Sequence, residues 1–208
     1  MAWTATDTFE SYSNGLTLAA AAGGSGWNGN WTIGNGTWTA SSLQAKNGTL
    51  SGRMSVGSGT GYINRAVTSI TTDSLQYYIL ATATNVSHYI NLSAGAPAAG
   101  GSSKVLGGFE TPNIIFYDNG TQRNVLSTFV ANQWYKVTIA FNGVANTYTV
   151  QIDSGTVFGP YAYSFAGTGA ITNVQFYSGG NVEFFMDDIG PVASATVAAR
   201  KLPMLGVG

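Results

Sequence analysis

The chain of 208 residues contains no cysteine and a single histidine. The first absence excludes a disulfide framework and thiolate chemistry. The second excludes a histidine-rich metal site. It leaves only His88 for a Ser-His-Asp arrangement, and in Asn85-Val86-Ser87-His88-Tyr89 that residue reads as a polar strand residue rather than a catalytic base. Charge is scarce too. Charged residues make up 8% of the sequence, against about a quarter in ordinary globular domains. A net charge of −1 offers no electrostatic hold on nucleic acid or anionic lipid. No apolar run is long enough to span a bilayer as a helix. Residues 1–7 lack the basic and apolar regions of an export signal. With Met1 as the native start, the expectation is synthesis in a cytoplasm without export by the usual route.

What is present is apolar and neutral. Hydrophobic residues make up 44% and aromatics 12%, too much for a disordered chain. Gly, Ser, Thr, Asn and Ala fill most of the rest, as suits turns and wet strand faces. Apolar residues alternate rather than recurring every three or four. In 134–141, Tyr135, Val137, Ile139 and Phe141 share one face, and Lys136 and Thr138 the other. Asn142-Gly143-Val144-Ala145-Asn146 turns the chain, and 147–153 returns with Tyr148, Val150 and Ile152 inward. Trp134 and Phe141 are expected in the core. Further strands are expected at 75–83, 114–117, 125–130 and 171–177, with Asp118-Asn119-Gly120-Thr121 as a hairpin turn. Residues 19–26 and 94–103 read as loops. Many short strands with turns between them predict an all-β, two-sheet antiparallel sandwich or jelly roll over residues 1–191. Residues 192–208 form a C-terminal extension. There Arg200 and Lys201 precede apolar Leu202, Met204 and Leu205, and an arm that docks on a neighbouring subunit is expected.

Four segments carry a family resemblance. They are Phe9-Glu10-Ser11-Tyr12 with Asn14-Gly15, Trp27-Asn28-Gly29-Asn30-Trp31, Asn132-Gln133-Trp134-Tyr135-Lys136-Val137, and Met186-Asp187-Asp188-Ile189. Together, over about residues 7–190, they resemble the concanavalin A-like lectin/glucanase superfamily, the laminin-G-like jelly rolls. The resemblance implies glycan binding, adhesion or glycan hydrolysis. The acidic E-x-D-x-x-E triplet of the laminarinase-like branch does not occur. Glu183 and Asp187 share a strand face but stand about 13 Å apart along it, wide for the carboxylate pair of a glycosidase. No enzymatic activity is therefore expected.

In a sandwich the first and last strands often pair, which would gather Asp7, Glu10, Asp187 and Asp188. Calcium takes six to eight oxygen ligands, and structural calcium is common in the family resembled. A calcium site at these four residues is the expectation, against a plain role in turns and sheet edges. Trp27 and Trp31, in a Gly/Asn-rich stretch, and Tyr161 and Tyr163, beside Gly159-Pro160, are the candidate sugar platforms. The chain's style, including its Leu-Gly-Val-Gly ending, also resembles phage virion proteins. The function expected is a non-enzymatic virion protein, a capsid decoration or tail-associated protein with a lectin-like domain. Its partners would be other virion proteins, further copies of itself and glycans, with no nucleic acid and no membrane insertion. The alternative is a secreted or surface carbohydrate-binding module, and behind it a glycan hydrolase or lyase.

Overall fold

The computed structural model describes residues 2–55, 60–95, 103–164, 168–179 and 182–192. The strands are β1 (Thr32–Asn35), β2 (Thr37–Ser41), β3 (Ser51–Ser55), β4 (Thr60–Ile70), β5 (Thr72–Ala81), β6 (Ser87–Ser93) and β7 (Ser103–Glu110). They continue as β8 (Asn113–Asp118), β9 (Thr121–Leu126), β10 (Tyr135–Asn142), β11 (Thr147–Ile152), β12 (Val157–Ala162), β13 (Ile171–Gly179) and β14 (Phe184–Pro191). No helix occurs among the described residues. The strands form two antiparallel sheets of seven. The front sheet runs β1-β4-β13-β6-β7-β8-β9 and the back sheet β12-β11-β10-β5-β14-β3-β2.

The alternation predicted for residues 134–153 is realised. Tyr135, Val137, Ile139 and Phe141 of β10 are buried, and β11 pairs with β10 from Val137↔Ile152 to Asn142↔Thr147. Between β8 and β9, Asn119 (φ 47°) and Gly120 (φ 81°) both take the left-handed region. A two-residue hairpin loop requires this, and asparagine and glycine adopt it most readily. Inner-face side chains from both sheets, among them Ile63, Ile90, Phe109 and Phe176 in front and Trp38, Tyr77, Ile139 and Phe184 behind, make one core. Each such burial contributes about 1.5–3 kcal/mol before the entropic cost of ordering.

Three details depart from the sequence reading. The strand expected at 125–130 ends at Leu126. Residues 127–134 instead cross from the front sheet's edge to the back sheet, anchored by Phe129, whose ring lies 4.5 Å from that of Phe109. Trp134, expected in the core, is half-buried in this crossing, and Tyr135 takes the inward place. His88, expected as a polar strand residue, is fully buried on the inner face. Its ring lies 4.9 Å from Phe184, and neither nitrogen has a hydrogen-bond partner among the described residues. Burial pushes its pKa down to about 3, so the imidazole is neutral. The docking residues Arg200, Lys201, Leu202, Met204 and Leu205 lie outside the described residues.

Candidate functional site

The chain ends meet as expected. Asp7 N donates to Ile189 O at 2.8 Å, and Ile189 N donates to Asp7 O at 3.0 Å. Side chains paired across an antiparallel bridge share a face. Ile189 is in the core, so Asp7 turns inward as well. There its Oδ2 accepts from Arg65 Nη1 (3.0 Å), Trp31 Nε1 (2.9 Å) and the Tyr12 hydroxyl (2.8 Å), while Oδ1 accepts from Phe9 N (3.0 Å). Arg65 comes from β4 of the front sheet; its Nη1 also reaches Gly23 O and its Nε reaches Gly29 O. The ion pair is 3% and 0% exposed and ties the two sheets together. Burial lowers the Arg65 pKa, and burial with the Asp7 charge raises that of Tyr12.

This corrects the expected four-carboxylate site. Asp7 is saturated by the Arg65 pair and faces the interior, apart from the other three. Those three grip one loop, residues 46–50. Glu10 accepts from Thr49 N (2.9 Å), Thr49 Oγ1 (2.8 Å) and Leu50 N (2.7 Å). Asp187 accepts from Lys46 N (2.8 Å), and Asp188 from Asn47 Nδ2. Gly48 (φ 69°) permits the approach, since a Cβ there would stand 2.5 Å from Glu10 Oε1. Asp187 is fully buried. Burial foremost, opposed by the Lys46 amide and reinforced by the Asp188 charge, pushes its carboxyl up to about 7. Lys46 Nζ lies over the Tyr78 ring, 5.2 Å from its centroid. As the side chains stand, no three acidic, histidine or cysteine groups converge among the described residues. Carboxylate oxygens are donors that a hard cation takes, but here each accepts from the 46–50 loop.

The front sheet's outer face presents a different chemistry. Register places Tyr62 and Asn64 of β4 beside Tyr177 and Gln175 of β13, and these beside Tyr89 and Asn91 of β6. Asn173 stands opposite Ser93 one step further along. Tyr89 and Tyr177 stack with centroids 6.0 Å apart and planes at 23°. The Tyr89 hydroxyl donates to Glu110 at the end of β7. Asn91 Nδ2 donates to Gln175 Oε1 at 3.4 Å. Yet Asn91 Oδ1 and Asn173 Oδ1 are buried without a partner among the described residues. Such atoms cost about 1–3 kcal/mol each when left unmet. From β4 to β7 the patch is about 14 Å wide, and a Tyr-to-Asn span of four residues adds about 13 Å along the strands. Sequence reasoning missed these residues. The available signal was Tyr-Ile-Asn, which occurs at both 62–64 and 89–91 with its middle residue in the core.

The four aromatic candidates lie elsewhere. Trp31 and Tyr163, expected as exposed platforms, are 1% and 2% exposed. Trp31 packs against Phe9 and donates to Asp7, while burial pushes the Tyr163 hydroxyl up to about 12. Both are core residues, because each closes a gap between the sheets that a large ring fills. Trp27 is half-buried, with Arg65 over its ring at 4.8 Å and its Nε1 donating to Thr6 O. Tyr161 is half-buried on β12, edge-on to Tyr148.

No protein-family model matches the chain, and no curated protein matches it in sequence. Solved structures do match in shape. A sialidase superposes with TM-score 0.61 at 10% identity, covering 79% of this chain, which spans only 17% of that protein. A carbohydrate esterase of the Shiga toxin-encoding bacteriophage phi24B superposes at 0.58 with 14% identity, covering 89% of this chain and 97% of that one. A Bacillus licheniformis beta-glucanase superposes at 0.52 with 13% identity, covering 92% and 99%. At such identities the likeness establishes architecture alone: the chain folds as a two-sheet antiparallel β-sandwich, as these neighbours do.

Proposed function

We propose that the chain is a non-enzymatic glycan-binding jelly-roll domain, and that its binding surface is the outer face of the front sheet around Tyr89, Tyr177, Asn91, Asn173 and Gln175. One observation carries this reading. Stacked tyrosines lie beside amide groups, two of whose buried oxygens have no partner among the described residues. Sugars offer an apolar ring face for tyrosine and hydroxyl donors for amide oxygens. Asn91, Asn173 and Gln175 are 4%, 7% and 8% exposed, so a bound glycan would meet both needs by displacing what covers these amides. The low charge of the patch favours a neutral glycan. The shape neighbours support the class, since a sialidase, a carbohydrate esterase and a glucanase all bear carbohydrate names.

The absence of catalysis rests on the carboxylates. Glycoside hydrolysis uses a close pair. Glu110 is the single carboxylate among the described residues of the patch. Glu183 is engaged by Arg53, and Asp187 lies under the 46–50 loop. The domain works in this reading as part of a virion, a capsid decoration or tail-associated protein, and the phage esterase likeness supports that setting. A calcium ion held by Glu10, Asp187 and Asp188 would pin the chain ends and do no chemistry.

Two experiments test the proposal. A glycan array followed by calorimetry identifies the ligand. Tyr89→Ala and Asn91→Ala should then each weaken binding about tenfold or more, an apolar or hydrogen-bond contact of about 1.4 kcal/mol, without loss of the fold. Unchanged affinity in both variants refutes the site. Mass spectrometry of purified phage particles tests the virion role, and its absence from particles refutes it.

A further inference from the structure

A second surface lies at the margin where both sheets end. β9 closes the front sheet and β12 the back sheet, and among the described residues neither pairs with a second strand, though Ala162 at the end of β12 bonds to Asp118 and Asn119. Between them runs a groove of about 540 Å³, floored by Val125, Leu126, Ile152 and Phe158, with Val130 and Asp153 on its rim. Its volume falls within the range of pockets that hold ligands, about 300–1,000 Å³. Val130 and Val157, beside it, are 57% and 58% exposed, two of the five large apolar side chains left exposed among the described residues. Open edge strands carrying apolar side chains invite pairing, and proteins generally cover them.

The chain's own sequence supplies a matching segment. β14 ends at Pro191, and residues 193–208 follow. Within them, Leu202, Met204, Leu205 and Val207 fall inside six positions, preceded by Arg200 and Lys201. A proline at 203 biases the residue before it against helix and toward extended backbone, the conformation an edge strand accepts. The charges are complementary, a basic pair against Asp153 on the rim. Reach is sufficient as well. Three strands lie between β14 and β12, a separation of about 19 Å, while residues 193–202 extend over about 33 Å.

We propose that segment 200–207 docks in the groove between β9 and β12, with Leu202, Met204 and Leu205 on its apolar floor and Arg200 and Lys201 near Asp153. Made within one chain, the contact seals the sandwich edge. Exchanged between copies, it joins protomers head to tail and provides an assembly contact.

The natural absence of cysteine makes the test clean. In the full chain, Thr156→Cys with Leu205→Cys places one thiol on the groove and one on the segment. Thr37→Cys with Leu205→Cys is the control, at the far edge of the back sheet. Docking predicts disulfide formation, with oxidised glutathione as oxidant, about tenfold faster in the first pair, from raised effective concentration. A monomeric product assigns the contact to one chain, and dimers and ladders assign it to exchange; either supports docking. Adding Leu202→Asp and Met204→Asp, outside the folded core, should return the rate to that of the control. Equal rates in the two pairs, or a rate unmoved by the aspartates, overturns the proposal.

Discussion

The terminal clasp and the front-sheet face show opposite treatments of polar groups. At the clasp, the Asp7 carboxylate has four donors and Arg65 is matched on several sides, all within the protein. On the front face, neutral amides stand in rows, and two of their oxygens have nothing to accept among the described residues. A fully met polar network locks structure, since breaking it strands a charge. A partly met one leaves hydrogen-bonding capacity for a ligand. A chain with so few charges uses them to hold its layers, and lines the outer side of its front sheet with largely buried amides and half-buried tyrosines.

The contrast breaks most visibly at Arg65. Arg65→Ala leaves Asp7 buried and unpaired, and should lower stability by about 3–5 kcal/mol. Asn91→Ala, which removes an unmet oxygen together with one long bond to Gln175, should change it by about 1 kcal/mol or less. Urea midpoints measure both, and equal losses would erase the distinction between the two regions.

A smaller effect is expected at Asp187. Its folded pKa, about 7, lies above the ordinary 3.8. A carboxyl raised in this way favours folding while protonated. That stability is fully present below about pH 4 and is lost as pH rises through 7, by at most about 4 kcal/mol. The groups facing it are Asp188, Lys46 and Tyr78. In chelator-treated protein, Asp187→Asn should therefore flatten the decline in stability between pH 4 and 8. A slope unchanged by the substitution places the titration elsewhere. The proposed calcium ion tests the same region from the other side. At about 100 times its dissociation constant, the ion adds about 2.7 kcal/mol, so the melting temperature should rise on adding calcium and fall on chelation. An identical melt in both conditions removes calcium from the clasp. The smallest change belongs to Trp27. Trp27→Phe keeps an aromatic ring under Arg65, and should leave glycan affinity within about twofold, well under 1.4 kcal/mol.

The fold was legible where period and turn chemistry agreed. Tyr135 to Phe141 alternates cleanly, and Asn119-Gly120 can take the left-handed conformations its hairpin needs. The meeting of Asp7 with Ile189 was legible from the acidic ends. The direction of Asp7 was not, because its partner Arg65 lies 58 positions away and is brought close only by the packing of the sheets. Trp31 misled for a related reason. Its Gly/Asn-rich surroundings suggest an exposed loop, yet the ring fills the space between Phe9 and Trp27. The front-face amides were invisible because they are assembled laterally. Asn64, Gln175 and Asn91 sit on three strands far apart in sequence, and only register makes them neighbours.

The most direct measurement is a glycan titration followed through side-chain amide resonances by nuclear magnetic resonance. Saturable shifts should appear at Asn64, Asn91, Asn173 and Gln175, with the Trp27 and Trp31 indole signals unmoved. Shifts confined to the two indoles, or no shift with any neutral oligosaccharide, would contradict a recognition site on the front sheet.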